Sequence, residues 1–305
     1  MKFTYAEYEQ MLKILLEDYE FISFSRAKFS REKLDKKVLL RHDIDQSLEK
    51  TQRIAEIEAS LGISATYFLL LRSPFYNMFS CDQERLIGNI INKNHFIGLH
   101  FDYSGYSFNT ISQLAHQVVL EAEFIQKYFN VKVDAVSFHR PVDINYLRKL
   151  ELSLYPHSYE SIFLEQYKYF ADSRGKWRFG GPLDSEAFRQ KKNLQILVHP
   201  EWWNETELES VQSLDNYRKD YLLRFESNLQ KELKVFLDSL KKMRNYLAIL
   251  TVTLLGIFFF ALSSFFILCI VGFFIIIALL RILTSLLFGT KNSSKFIFIK
   301  KRGDG

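Results

Sequence analysis

Four short polar clusters interrupt the hydrophobic runs of the first 200 residues. They read Arg41-His42-Asp43-Ile44-Asp45, Gly98-Leu99-His100-Phe101-Asp102, Ser137-Phe138-His139-Arg140-Pro141 and Val198-His199-Pro200-Glu201-Trp202-Trp203. Three of them follow a β-branched or apolar run, where an α/β enzyme presents catalytic side chains at strand ends. Together they bring two carboxylates, three histidines and an arginine, enough for one hard-metal site with an acid and a base beside it. Asp43 and Asp45 are two apart, so in an extended segment both carboxylates leave one face and His42 leaves the other. The plainer alternative for the two aspartates is capping of the helix that follows. The donor set as a whole points to metal-dependent hydrolysis.

The elements that must hold these clusters alternate along the chain. Short apolar or β-branched runs at 38–40, 65–71, 96–100, 135–138 and 194–198 read as strands. Between them, 48–61, 82–92 and 111–128 carry apolar residues at helical spacing, and Gly62 is placed to close the first of these helices. Repeated βα units predict a parallel sheet, closed or partly closed into a barrel. Residues 205–244 read as one or two charged amphipathic helices.

Residues 245–280 contain no charge, and only Arg281 interrupts the apolar character through Phe288. As one helix the uncharged part would extend about 52 Å, more than the about 30 Å of a bilayer core. The length is better used by two helices breaking near Ser263-Ser264, a membrane hairpin over 245–288. Lys241-Lys242-Met243-Arg244 and Lys300-Lys301-Arg302 flank it, which puts both ends, and a basic tail at 289–305, on the cytoplasmic side. A single tilted span, or a buried hairpin of a soluble protein, is the competing reading. The start of the chain lacks the apolar core and cleavage site of a secretory signal. The catalytic part, 1–204, is therefore expected at the cytoplasmic face of an inner membrane, with the bilayer as a partner.

The net charge of +5 is spread rather than striped, which argues against nucleic acid. Two cysteines, Cys81 and Cys269, permit neither a disulfide framework nor a cysteine-based zinc site.

Five lines of sequence, taken in order, resemble the polysaccharide deacetylase superfamily in its divergent Arg-His-Asp-x-Asp branch. They are Leu40-Arg41-His42-Asp43-Ile44-Asp45, Ala65-Thr66-Tyr67-Phe68, Ile97-Gly98-Leu99-His100-Phe101-Asp102, Phe138-His139-Arg140-Pro141 and His199-Pro200-Glu201-Trp202-Trp203. The resemblance covers about 38–204. It implies a distorted barrel of about seven βα units and removal of acetyl groups from N-acetylated sugars with a divalent metal.

Carried over residue by residue, the resemblance makes Asp43 the base and Asp45 a metal ligand, with the reverse as the alternative, Arg140 the arginine that positions the base, and His199 the general acid. His100 matches the first metal histidine of the family, whereas Ser104 stands where the second belongs. His139 is then the candidate third ligand, with Asp102 behind it. A His/His/carboxylate set suits zinc, with cobalt, nickel or manganese as alternatives. Trp202 and Trp203 either stack on a sugar or close the barrel. Asp172 and Trp177, in the loop 172–178, resemble a substrate-contacting segment or form a solvated one. His42 is read as structural, and His95, His116 and His157 as surface or capping residues. The implied reaction is deacetylation of a lipid-linked or nucleotide-linked precursor of a surface polysaccharide. The competing functions are hydrolysis of a non-sugar amide or imide, and sugar binding without catalysis.

Overall fold

The computed structural model describes residues 2–141, 143–178, 180–261 and 266–287. The chain divides into two compact units, Met1–Leu222 and Leu223–Gly305. In the first unit α1 (Tyr5–Leu16), β1 (Glu20–Phe21) and α2 (Phe24–Phe29) lead into β2 (Lys37–Ile44), α3 (Leu48–Ser60) and β3 (Thr66–Leu69). These are followed by α4 (Cys81–Asn92), β4 (Phe96–Phe101), α5 (Ile111–Phe129) and β5 (Val133–Phe138). The short helices α6 (Ile144–Arg148) and α7 (Ser161–Gln166), β6 (Lys168–Ala171), α8 (Glu186–Arg189), β7 (Leu194–Val198) and a 3₁₀ turn at Pro200–Trp202 complete the pattern.

All seven strands run parallel, in the order β5-β4-β3-β2-β7-β6, with β1 beside β2. Among the described residues β5 and β6 do not pair, so the sheet curls without closing its ladder. The local causes are ordinary. Thr4, Ser47 and Thr110 accept the backbone N–H three residues on and so start α1, α3 and α5. Gly62 at φ +71° and Asn130 at φ +51° end α3 and α5 in the left-handed conformation.

The two faces of the sheet bury different things. Val38, Leu40 and Ile44 point outward into the main core, with Leu12 and Leu15 of α1, Ile54 of α3, Ile87 of α4 and Val118 of α5. Leu39, Phe68 and Ala135 point inward and pack with Phe24 and Ala27 of α2 and Phe163 of α7, which plug the interior. Asp134 fastens that plug: its carboxylate accepts the N–H groups of Phe24 and Ser25, both at 3.0 Å, and the Thr66 hydroxyl at 2.8 Å. Gly98 lies on the inner face. A Cβ there would stand 2.5 Å from Cδ1 of Phe68 and 3.0 Å from the Ala135 carbonyl oxygen, so the close approach requires glycine.

Behind β2, on the outer face, Glu58 of α3 is fully buried. Its carboxylate accepts hydroxyl hydrogen bonds from Tyr8 and from Tyr67 (2.6 Å), and lies 2.6 Å from Nε2 of His42. The ends of the unit also meet: Tyr5 N–H donates to the Asn204 carbonyl (2.9 Å), and Asn204 N–H donates to that of Phe3 (3.1 Å).

α9 (Ser210–Ala261) is one helix of 52 residues, covering the expected linker and the first part of the expected hairpin, and α10 (Phe266–Leu287) follows. In the second unit they line an apolar groove of about 710 Å³, with Leu254 and Leu255 on one side and Ile275, Ile276 and Leu279 on the other. The expected membrane hairpin is corrected here. Among the described residues, no helix is long and apolar enough to cross a membrane. Beyond Arg244, α9 offers residues 245–261, about 26 Å of helix. In α10 the uncharged stretch before Arg281, residues 266–280, is about 22 Å of helix. Each is less than the about 30 Å of hydrocarbon to be crossed. The inner-membrane, multi-pass location rested on those spans and falls with them. The break near Ser263-Ser264 and the basic tail 289–305 lie outside the described residues.

Candidate metal centre and proton-transfer site

Every polar cluster arrives at the C-terminal end of the parallel strands, where side chains from separate βα units converge. The alternation of β2 turns Arg41 and Asp43 inward, and Asp45, just past its end, continues the row. His100 comes from β4, Ser137 from β5 and His139 from the residue after β5, whose N–H is held by the Phe101 carbonyl at 2.9 Å.

Asp45, His100 and His139 form one cluster of convergent donor atoms. Asp45 Oδ1 is 3.1 Å from His100 Nε2 and 3.2 Å from His139 Nδ1, and the two nitrogens are 3.3 Å apart. Two ligands at about 2.1 Å from a zinc-like ion, at tetrahedral or right angles, are separated by about 3.0–3.4 Å. The triangle has those sides. Asp45 Oδ1 is also a buried oxygen with no hydrogen bond of acceptable geometry, despite the two nitrogens so close to it. An orphaned buried oxygen facing two imidazole nitrogens is what a shared cation would satisfy. Burial works to raise the Asp45 carboxyl, but the two histidines override it and hold the group below the usual carboxylate range.

Asp43 lies deeper, 3 % exposed, level with Phe68 in the strand register. Its carboxylate is gripped by Arg41, with Nε to Oδ1 at 3.2 Å and Nη2 to Oδ2 at 2.6 Å. Burial pushes Asp43 up; Arg41 outweighs it and keeps the group ionised. The guanidinium itself rests over the Phe68 ring at 5.3 Å. The arginine that holds Asp43 is therefore Arg41, two residues away on the same strand. Arg140 sits at φ +47° after β5 and makes no ion pair with a carboxylate among the described residues.

Across the site His199, following β7, meets Asp172, following β6. Nδ1 is 2.6 Å from Asp172 Oδ1, and the same carboxylate accepts the His199 backbone N–H at 3.0 Å and the Trp203 indole N–H at 2.9 Å. Burial alone would depress His199; the Asp172 charge reverses this and raises it to about 10. Glu201, 5 % exposed, is pushed up to about 8 by burial, opposed by His199 and helped by Asp45 and Asp172.

These placements revise the expected substrate contacts. Asp172 and Trp203 are fully buried behind His199, so neither reaches a ligand, and Trp203 has no free ring face. Trp202 is 9 % exposed. Trp177 is half-buried beside Phe3 and Trp203, with ring centroids 6.0 and 6.3 Å away. Asp102 accepts the Ser104 N–H at 2.9 Å, and Ser104 is exposed. His95 and His157 are buried braces, with Nε2 2.8 Å from the Leu150 carbonyl in the second; His116 is exposed. Sequence reasoning passed over Arg41, Ser137, Glu58 and Glu201. The two-residue spacing of Arg41, Asp43 and Asp45 carried a signal for the first. The others depend on which strands and helices become neighbours.

No protein-family model matches this chain, and no curated protein matches it. Solved structures similar to it include a CE4 family pseudoenzyme from Bacillus anthracis, at 16 % identity over 63 % of each chain and a TM-score of 0.39. The chitin deacetylase of the fungal pathogen Colletotrichum lindemuthianum matches at 14 % identity over 62 % of this chain and 84 % of its own, with a TM-score of 0.36. A family 4 carbohydrate esterase from Bacillus anthracis matches at 14 % identity over 69 % and 86 %, again with 0.36. The chain spans just under two thirds of the pseudoenzyme's length. At such TM-scores these likenesses lend nothing to an assignment of activity, which rests on the site.

Proposed function

We propose that this chain is a metal-dependent hydrolase of carbon–nitrogen amide bonds that removes the acetyl group from an N-acetylated sugar. The observation that carries it is the near-equilateral triangle of Asp45 Oδ1, His100 Nε2 and His139 Nδ1, whose oxygen corner is buried and unsatisfied. Those three residues would hold a divalent ion, with zinc the best match to one carboxylate and two imidazoles. When bound, such an ion supplies Lewis acidity to an amide carbonyl and acidifies a water.

The protein's own groups supply proton transfer. His199 carries a proton on a ring whose Nδ1 is anchored by Asp172, leaving Nε2 to deliver it to a departing amine. Glu201, nearby and buried, has its carboxyl raised to about 8, so it is largely uncharged at neutral pH and adds little negative charge to compete with His199. Asp43, the base implied by the family resemblance, has both oxygens engaged by Arg41 below the triangle. The loops after β5 and β6 add Arg140, Arg174 and Lys176 around the strand ends. That supports a phosphate-linked sugar, on a nucleotide or a lipid carrier, as substrate.

The test is acetate release from N-acetylated sugar nucleotides and lipid-linked sugars, with zinc content measured on the same preparations. Asp45→Asn and His139→Ala are expected to lose both zinc and activity. His199→Ala is expected to retain zinc and lose about 10²–10⁴ of kcat. Wild-type protein that binds no divalent ion overturns the reading.

A further inference from the structure

A buried chain of polar groups runs behind the metal triangle. The Arg41 guanidinium grips the Asp43 carboxylate, Oδ1 of Asp43 lies 3.3 Å from Ser137 Oγ, and Ser137 Oγ lies 2.6 Å from His100 Nδ1. Arg41 is 2 %, Asp43 3 %, Ser137 0 % and His100 3 % exposed, so water does not compete for these groups. The direction of the hydrogen bonds follows from counting protons. The Arg41 guanidinium donates to both Asp43 oxygens, so that carboxylate is the acceptor of the chain and the single hydroxyl proton of Ser137 goes to it. The serine oxygen then has only lone pairs for His100, and Nδ1 must carry the ring's proton. Nε2 is left with its lone pair, pointing at Asp45 Oδ1 and His139 Nδ1.

We propose that Ser137, backed by Asp43 and Arg41, is the positioning residue that fixes the tautomer and ring plane of His100 for metal binding. The inference rests on the metal-site reading above and adds to it a residue that touches neither metal nor substrate. It also gives Asp43 its part: a fixed negative end for the chain, held deeper than the triangle. An outer hydrogen-bond partner of this kind is worth about 10–100-fold in metal affinity. Register explains why it is present: His100 and Ser137 are direct partners on adjacent parallel strands, so the short side chain lies beside the ring.

Two measurements on the full chain test it. In the metal-free protein, ¹⁵N-detected spectra of labelled histidine should show His100 in the Nδ1–H form when neutral, and Ser137→Ala should lose that preference. In zinc competition titrations, Ser137→Ala should weaken binding about 10–100-fold, while Ser137→Thr, which keeps the hydroxyl, should stay within about threefold of wild type. An Nε2–H tautomer in the wild type, or unchanged zinc affinity in Ser137→Ala, overturns the inference and leaves the metal site standing. Wild-type protein that shows the Nδ1–H form but binds no zinc overturns the metal reading and keeps the serine's control of the ring.

Discussion

At the scale of single residues, the site separates cation-binding groups from proton-carrying ones. His199 is the clearest case, because its folded pKa, raised to about 10, lies above the about 6.5 of an unfolded histidine. A raised pKa means that the pair with Asp172 stabilises the fold fully below about pH 6.5 and loses that contribution as pH rises through about 10. NMR titration of the metal-free protein should place the His199 midpoint well above the usual histidine range, and Asp172→Asn should bring it down. A midpoint unmoved by Asp172→Asn would sink the pairing. The sequence pointed to His199, Asp45, His100 and His139, since each sits in a short polar cluster at the end of an apolar run. It could not rank Arg41 above Arg140. Both are arginines next to a histidine, and only strand alternation with an inward turn of β2 puts Arg41 on Asp43.

At the scale of elements, the clusters work because β2 is clamped on both faces. Gly98 lets the Phe68 ring lie against β4 beneath the triangle. Gly98→Ala should destabilise the protein by about 1–3 kcal/mol in urea unfolding, as the ring and the Ala135 carbonyl have little room to retreat. On the outer face, Glu58 draws Tyr8, Tyr67 and His42 together. Glu58→Ala leaves these donors buried without an acceptor and should cost about 1–3 kcal/mol, more than an exposed glutamate of α3 such as Glu56. Strands with apolar runs were legible in the sequence. β1, β6 and the plug α2 were not, because a two-residue strand, a lysine-led one and a six-residue helix carry too little periodicity. The hairpin expectation failed for a different reason: it counted apolar length through Arg281, whereas neither α9 beyond Arg244 nor α10 up to Arg281 offers a bilayer's thickness of uncharged helix.

At the scale of the molecule, every residue of the proposed centre lies within Met1–Leu222. A fragment of residues 1–222 should therefore fold and bind zinc as the full chain does. It should also be less prone to self-association, since Leu229, Leu233, Phe236 and Leu240 of α9 are all exposed. Loss of zinc binding in that fragment would show that the second unit completes the site. The join between Phe3, Tyr5 and Asn204 has a use of its own. Because the beginning and the close of the barrel lie side by side, a few glycines could bridge them, and the polypeptide could be reopened in an exposed loop such as the one around Asn109. Such a circular permutant would keep every donor in place while reordering the sequence in which they emerge from the ribosome.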